Sequence, residues 1–133
     1  MKALKAKVVR ALPKRAQIET CDNSGAKVIQ IISIKTIKTT KGRYPAAGIG
    51  DLVTASVIKG TQEMRKQVVQ AVIVRQRKEY KRPDGTRIKF EDNAAVVLKD
   101  DKGNPKGTMI KGPVAKEAAD RWPGIAKLAG MVV

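Results

Sequence analysis

Histidine is absent from this sequence, and with it the side chain that most often acts as a general base or metal ligand near neutral pH. One cysteine, Cys21, leaves no partner for an internal disulfide, which fits a reducing compartment. The aromatic residues are only Tyr44, Tyr80, Phe90 and Trp122, too few for the row of stacked rings with which single-strand binders grip bases. Acids are scarce, 12 against 28 Lys and Arg. No apolar run approaches the roughly 18 residues of a membrane span. The N-terminus lacks the apolar core and small-residue cleavage site of a secretory signal.

These gaps narrow the chemistry. Cys21, Asp22 and Ser24 lie close together but have no imidazole to activate a nucleophile, so the segment reads as a tight turn and the chain as a non-enzyme. Asp100 and Asp101 are adjacent acids without companion ligands, which predicts a solvated turn and no metal. No cofactor is expected. The Gly-rich segment 39–51 is not a P-loop, since no Gly-Lys-Ser/Thr follows, nor a dinucleotide fingerprint, since no helix pattern follows.

What is present is charge and a core. The 133 residues are 42% hydrophobic, enough for one domain, yet the net charge is +16. Self-repulsion on that scale works against a compact state unless a polyanion neutralises it, nucleic acid before an anionic membrane. With so few rings, the expected mode is contact with the phosphate backbone and shape of a folded nucleic acid.

The chain is organised around residues 71–98, which run apolar, basic, then apolar again about Pro83-Asp84-Gly85. This predicts a hairpin with a type I turn and a glycine bulge. With Arg82 facing Thr86, one face of the tip carries Lys78, Tyr80, Ile88 and Phe90. The other sets Arg77 opposite Glu91, Glu79 opposite Lys89 and Lys81 opposite Arg87. The last pair is like-charged, and an anion between the two would relieve the repulsion.

Elsewhere, short strands alternate with turns. Residues 17–21 read as a strand and 22–25 as a turn. Residues 27–38 form a β-branched strand whose phase switches near Ile31-Ile32, which predicts a bulge or a bend there, and bent strands are what a small closed barrel needs. Residues 51–59, 68–74 and 94–98 are further strands, with a last short one at 108–110. Residues 114–122 have a helical pattern stopped by Pro123-Gly124, and 125–133 form another helical turn. Trp122 reads as a packing anchor. Residues 1–16 carry only basic charge. Leu4, Val8 and Leu12 share a helical face, but Pro13 intervenes, and an arm or short strand around Val8 and Val9 is favoured. The expected organisation is one domain: an arm at 1–16, a mainly β small closed antiparallel barrel with projecting hairpin and loops at 17–112, and short helices at 113–133.

Several motifs then agree in order and spacing with one family. Ala71 to Val74, Asp84, Gly85, Phe90, Asn93, Val96 and Val97 match a signature of ribosomal large-subunit protein fourteen. Residues 21–26, 47–51 and 112–114 resemble the same family, and the likeness covers about residues 17–133. RQRKEYKRPDGTRIKFEDNAAV and GPVAKEAADRWP are similar to the archaeal and eukaryotic branch. The resemblance implies a five-stranded barrel in the cytoplasmic large ribosomal subunit that binds large-subunit ribosomal RNA and bridges to small-subunit RNA. It implies contact with large-subunit protein three and archaeal-eukaryotic protein twenty-four. It also implies docking of the anti-association initiation factor six on the C-terminal segment, here with Glu117, Asp120, Arg121 and Trp122 as candidates. The candidate RNA contacts are Lys35, Lys38, Lys41, Arg43, Arg75, Arg77, Lys78, Lys81, Arg82, Arg87, Lys89 and Lys111. A free-standing nucleic-acid-binding regulator and a membrane-surface role for 1–16 are the competing readings.

Overall fold

Alternating β-branched residues build the centre of the molecule. In the computed structural model, which describes residues 2–133, the elements in chain order are β1 (Leu12–Pro13), β2 (Gln17–Thr20), β3 (Ala26–Ile34), β4 (Ala46–Ala47), β5 (Leu52–Gly60), β6 (Val68–Arg75), β7 (Tyr80–Lys81), β8 (Arg87–Ile88), β9 (Ala94–Leu98), β10 (Pro113–Val114), α1 (Lys116–Arg121), α2 (Pro123–Leu128) and β11 (Met131–Val132). Strands β2, β3, β5, β6 and β9 close into a five-stranded barrel. Four seams are antiparallel, and the closing seam between β2 and β9 is parallel, Glu19 opposite Ala94. Closure leaves the barrel no free edge to pair with another chain.

Pairing and burial define the interior. Ile18, Ile29, Ile31, Val53, Ala55, Val57, Ala71, Ile73, Ala95 and Val97 point inward and are buried. Each buried Val or Ile contributes about 1.5–3 kcal/mol. The bulge expected near Ile31-Ile32 is present: the register steps from Ile31 opposite Ala55 to Ser33 opposite Thr54, and Ile32 is left out of the ladder and exposed. β6 is apolar on both faces because Val72 and Val74, which point outward, lie beneath the C-terminal segment. Ala115 N donates to Val74 O at 3.1 Å there.

The C-terminal segment differs in detail from its pattern. Pro123 does not simply stop a helix. It ends α1 and occupies the first turn of α2, where its missing N–H has no intrahelical partner to lose. Trp122 sits at the junction, 3% exposed, and donates its indole N–H to Gly50 O at 2.9 Å. β10 and β11 then pair in parallel. The strand expected at 108–110 is only an isolated bridge between Asp22 and Ile110. The backbone donors of Thr108 and Met109 go to Asn23 Oδ1, at 2.8 and 3.1 Å, and so are not available to a ladder.

The arm is extended, with no helix over Leu4, Val8 and Leu12. Its pairing falls on either side of the Val8-Val9 position expected from sequence: Lys7 bridges to Lys81, and β1 pairs with β4. Between these points Gln76, wholly buried, donates to Val9 O at 3.0 Å and to Lys78 O at 2.9 Å, and accepts from Ile49 N at 3.1 Å.

Candidate nucleic-acid interface

The 71–98 segment is two hairpins in series. Its base, β6 and β9, belongs to the barrel, and its tip, β7 and β8, is a separate two-stranded ribbon. The tip has the expected register: Tyr80 opposite Ile88, Lys81 opposite Arg87, and Arg82 N donating to Thr86 O at 2.8 Å. Gly85 takes φ +93°, a conformation that strains residues with a Cβ, and Asp84 Oδ1 accepts from Thr86 N at 2.9 Å. That bond holds the exposed Asp84 carboxyl below its usual range.

Side-chain pairing at the tip departs from the cross-strand expectation. Glu79 pairs with Arg87, Nη1 to Oε1 3.4 Å, and not with Lys89. This diagonal contact already relieves part of the Lys81–Arg87 repulsion, so no anion is required between them. Arg77 Nε donates to the backbone O of Glu91 at 2.9 Å, and not to its carboxylate.

The tip also leans on α1. Tyr80 is wholly buried, and its hydroxyl donates to Glu117 Oε2 at 2.7 Å. Arg82 Nε donates to Glu117 Oε1 at 2.8 Å. Burial pushes the Glu117 carboxyl up, but the Arg82 and Tyr80 hydrogen bonds outweigh it and hold it below its usual range. Burial, together with the Glu117 contact, pushes the Tyr80 hydroxyl up.

The twelve candidate contacts therefore divide. Lys35, Lys38, Lys41, Arg43, Arg77, Lys78, Lys81, Arg87, Lys89 and Lys111 are exposed. Arg75 and Arg82 are internal. The Arg75 guanidinium donates to Lys111 O and Pro113 O at 3.1 and 3.2 Å and pairs with Asp92 at 3.0 Å. Among the described residues the four ion pairs use Arg75, Arg82, Arg87 and Arg121, so most of the 28 cations are not neutralised within the chain. They are spread along the chain, and the tip and the loop between β3 and β4 each carry a group of them.

Of the C-terminal candidates, only Asp120 is exposed. Glu117 and Trp122 are buried, and Arg121 pairs with Asp51 at 3.6 Å. These three hold α1 in place. Sequence reasoning missed Gln76 and Asp51, whose partners lie far away in sequence. The outer barrel wall carries Gln30, Ile32, Thr54, Ser56, Val68 and Gln70, with no charge among them; Val68 is 66% exposed.

Residues 11–133 match the sequence model of the family described as ribosomal protein L14p/L23e. The chain is similar to the large ribosomal subunit protein uL14 of Methanococcus vannielii, 55% identical over 132 residues that cover 99% of each chain. It is similar to the uL14 proteins of Nanoarchaeum equitans and Halorubrum lacusprofundi, 55% and 56% identical over 133 residues that cover the whole of each chain. These last two alignments include the arm.

Proposed function

The chain belongs to the ribosomal protein L14p/L23e family and is a structural constituent of the large ribosomal subunit, and we propose that it acts there as a clamp on large-subunit ribosomal RNA. The observation that carries this is the un-neutralised charge of the tip and the β3–β4 loop on a rigid barrel. Lys35, Lys38, Lys41 and Arg43 from the loop, Arg77, Lys78, Lys81, Arg87 and Lys89 from the tip, and Lys111 meet phosphates. Arg75 and Arg82 shape the surface from within.

Contacts with small-subunit RNA across the subunit interface draw on the same exposed cations. Protein neighbours, large-subunit proteins three and twenty-four, suit the uncharged outer wall, where apolar Ile32 and Val68 lie among amides and hydroxyls. The anti-association initiation factor six suits the exposed side of α1 and α2, where Lys116, Asp120 and Lys127 border a groove with Pro123 and Ala126. No catalysis is assigned.

Affinity for a large-subunit RNA fragment is expected to fall with salt by about 0.7–0.9 log units per phosphate contact for each tenfold rise. The native protein is expected to sediment with large subunits. A salt-insensitive affinity would overturn the clamp, and sedimentation only as a free protein would favour a free-standing regulator.

A further inference from the structure

We propose that the cleft between the N-terminal arm and the β3–β4 loop holds one unpaired nucleotide of RNA, its base stacked on Tyr44 and its phosphate against the surrounding cations. This rests on the RNA-clamp reading and names the ligand of one part of that surface.

Tyr44 is the odd ring of the chain. Tyr80 and Trp122 are buried and Phe90 is partly covered, whereas Tyr44 is 76% exposed. It is nonetheless held. Lys14 Nζ lies 4.3 Å from the centre of its ring, close enough for a favourable cation–ring contact. The two residues are brought together by the pairing of β1 with β4, Pro13 opposite Ala46, which places Lys14 and Tyr44 just beyond a fixed register. The lysine occupies one face of the ring and leaves the rest to solvent.

Beside the ring is a cleft of about 330 Å³ whose lining includes Arg10, Lys38, Lys41 and Arg43 and no acid. That volume is at the lower end of the roughly 300–1,000 Å³ of small-molecule sites. None of these four cations belongs to an ion pair among the described residues. The site thus offers one flat apolar surface and several uncompensated positive charges within one cavity. A phosphate alone would use only the charges. A duplex has no open base face to set on the ring. A nucleotide whose base is out of the stack uses both. The chain has too few rings to grip a long single strand, but one ring serves one base.

The test uses the full chain with a blunt RNA hairpin and the same hairpin carrying a short adenosine tail. Wild type is expected to bind the tailed RNA about tenfold more tightly, as one stacked base provides. Tyr44→Phe keeps that preference, because stacking does not need the hydroxyl. Tyr44→Leu loses it while the blunt-hairpin affinity and the salt slope stay unchanged, since no charge is removed. Lys38→Gln combined with Lys41→Gln weakens both RNAs and flattens the slope. Full retention of the tail preference in Tyr44→Leu would overturn the proposal. So would salt-dependent binding of the blunt hairpin by wild type with no tail preference. Binding of neither hairpin would overturn the clamp reading itself, and this proposal with it.

Discussion

Arg82 donates to Glu117 at 2.8 Å, and that contact joins the tip of the outer hairpin to the first C-terminal helix. The arginine carries the charge that marks it from sequence as a phosphate ligand, but its head lies against an internal carboxylate that also accepts the Tyr80 hydroxyl. The tip is therefore braced, and its exposed lysines are presented on a fixed ribbon. Ordering in advance lowers the entropy that binding must overcome.

Removal of this brace is expected to be costly. Glu117→Ala leaves the buried Tyr80 hydroxyl without its acceptor and the Arg82 guanidinium with only Val133 O, and should lower stability in urea unfolding by about 2–4 kcal/mol. The pH dependence has a definite sign. The Glu117 carboxyl is held below its ordinary value of 4.5 in the fold. Its contribution is therefore complete above that value and disappears as pH falls through the lower folded value. The stability gap between wild type and Glu117→Gln should stay constant from neutrality down to about pH 4.5 and close below it. A gap that widens in acid would show that the carboxylate is not the stabilised form.

A second brace secures the arm. Gln76 satisfies Ile49 N, Val9 O and Lys78 O from one buried amide. Gln76→Leu preserves volume but leaves three backbone groups unpaired, at about 1–3 kcal/mol for each that water does not reach. Hydrogen exchange should show faster exchange at the Ile49 amide and at residues 2–11, with the barrel strands unchanged. Faster exchange spread evenly over the barrel would mean that Gln76 supports the core and not the arm.

The barrel was legible because its signal is local. Alternation in 27–38, 51–59 and 94–98 reports which side chains face inward, and the phase change at Ile31-Ile32 reports the bulge directly. The turn at Pro83-Asp84-Gly85 also follows from local chemistry, and it fixed the register of Lys81 with Arg87. What was not legible depends on distant contacts. Nothing near Arg75 or Arg82 indicates that Asp92 or Glu117 will meet them, so two internal cations looked like ligands. Trp122 read correctly as a packing anchor, but the docking role that the resemblance suggested for Glu117 could not be weighed against burial, because its partners Tyr80 and Arg82 lie far away in sequence. The parallel closure of β2 on β9 is likewise a property of the whole topology.

Gly112 gives a sharper test of the Arg75 site. Its φ is +77°, and a Cβ built there would clash with Arg75 Nη1. Gly112→Ala should cost about 1–2 kcal/mol for the left-handed backbone alone, with displacement of the guanidinium from Asp92, Lys111 O and Pro113 O in addition. Arg75→Ala removes the obstructing group. In a double-mutant cycle the two changes should therefore be less than additive, with thermal unfolding as the readout. Strict additivity would mean the guanidinium does not occupy that space.

The lone thiol yields a prediction at alkaline pH. Cys21 is buried at the end of β2, and burial pushes its pKa from 9.0 up to about 11, against a smaller opposing effect of the Arg75 charge. The folded protein should therefore hold the thiol protonated at pH 8 and react slowly with a thiol-specific disulfide reagent, while the denatured chain reacts quickly. The same shift links the thiol to stability. Below pH 9 the native state loses nothing to it. Between about pH 9 and 11 the unfolded thiol ionises while the folded one does not, so stability declines as pH rises, by on the order of 2 kcal/mol across the window. Lysines and tyrosines titrate nearby, so the comparison must be with Cys21→Ala, whose unfolding free energy should fall less steeply over the same range. Equal slopes for the two proteins would mean that the thiol ionises as readily in the fold as out of it.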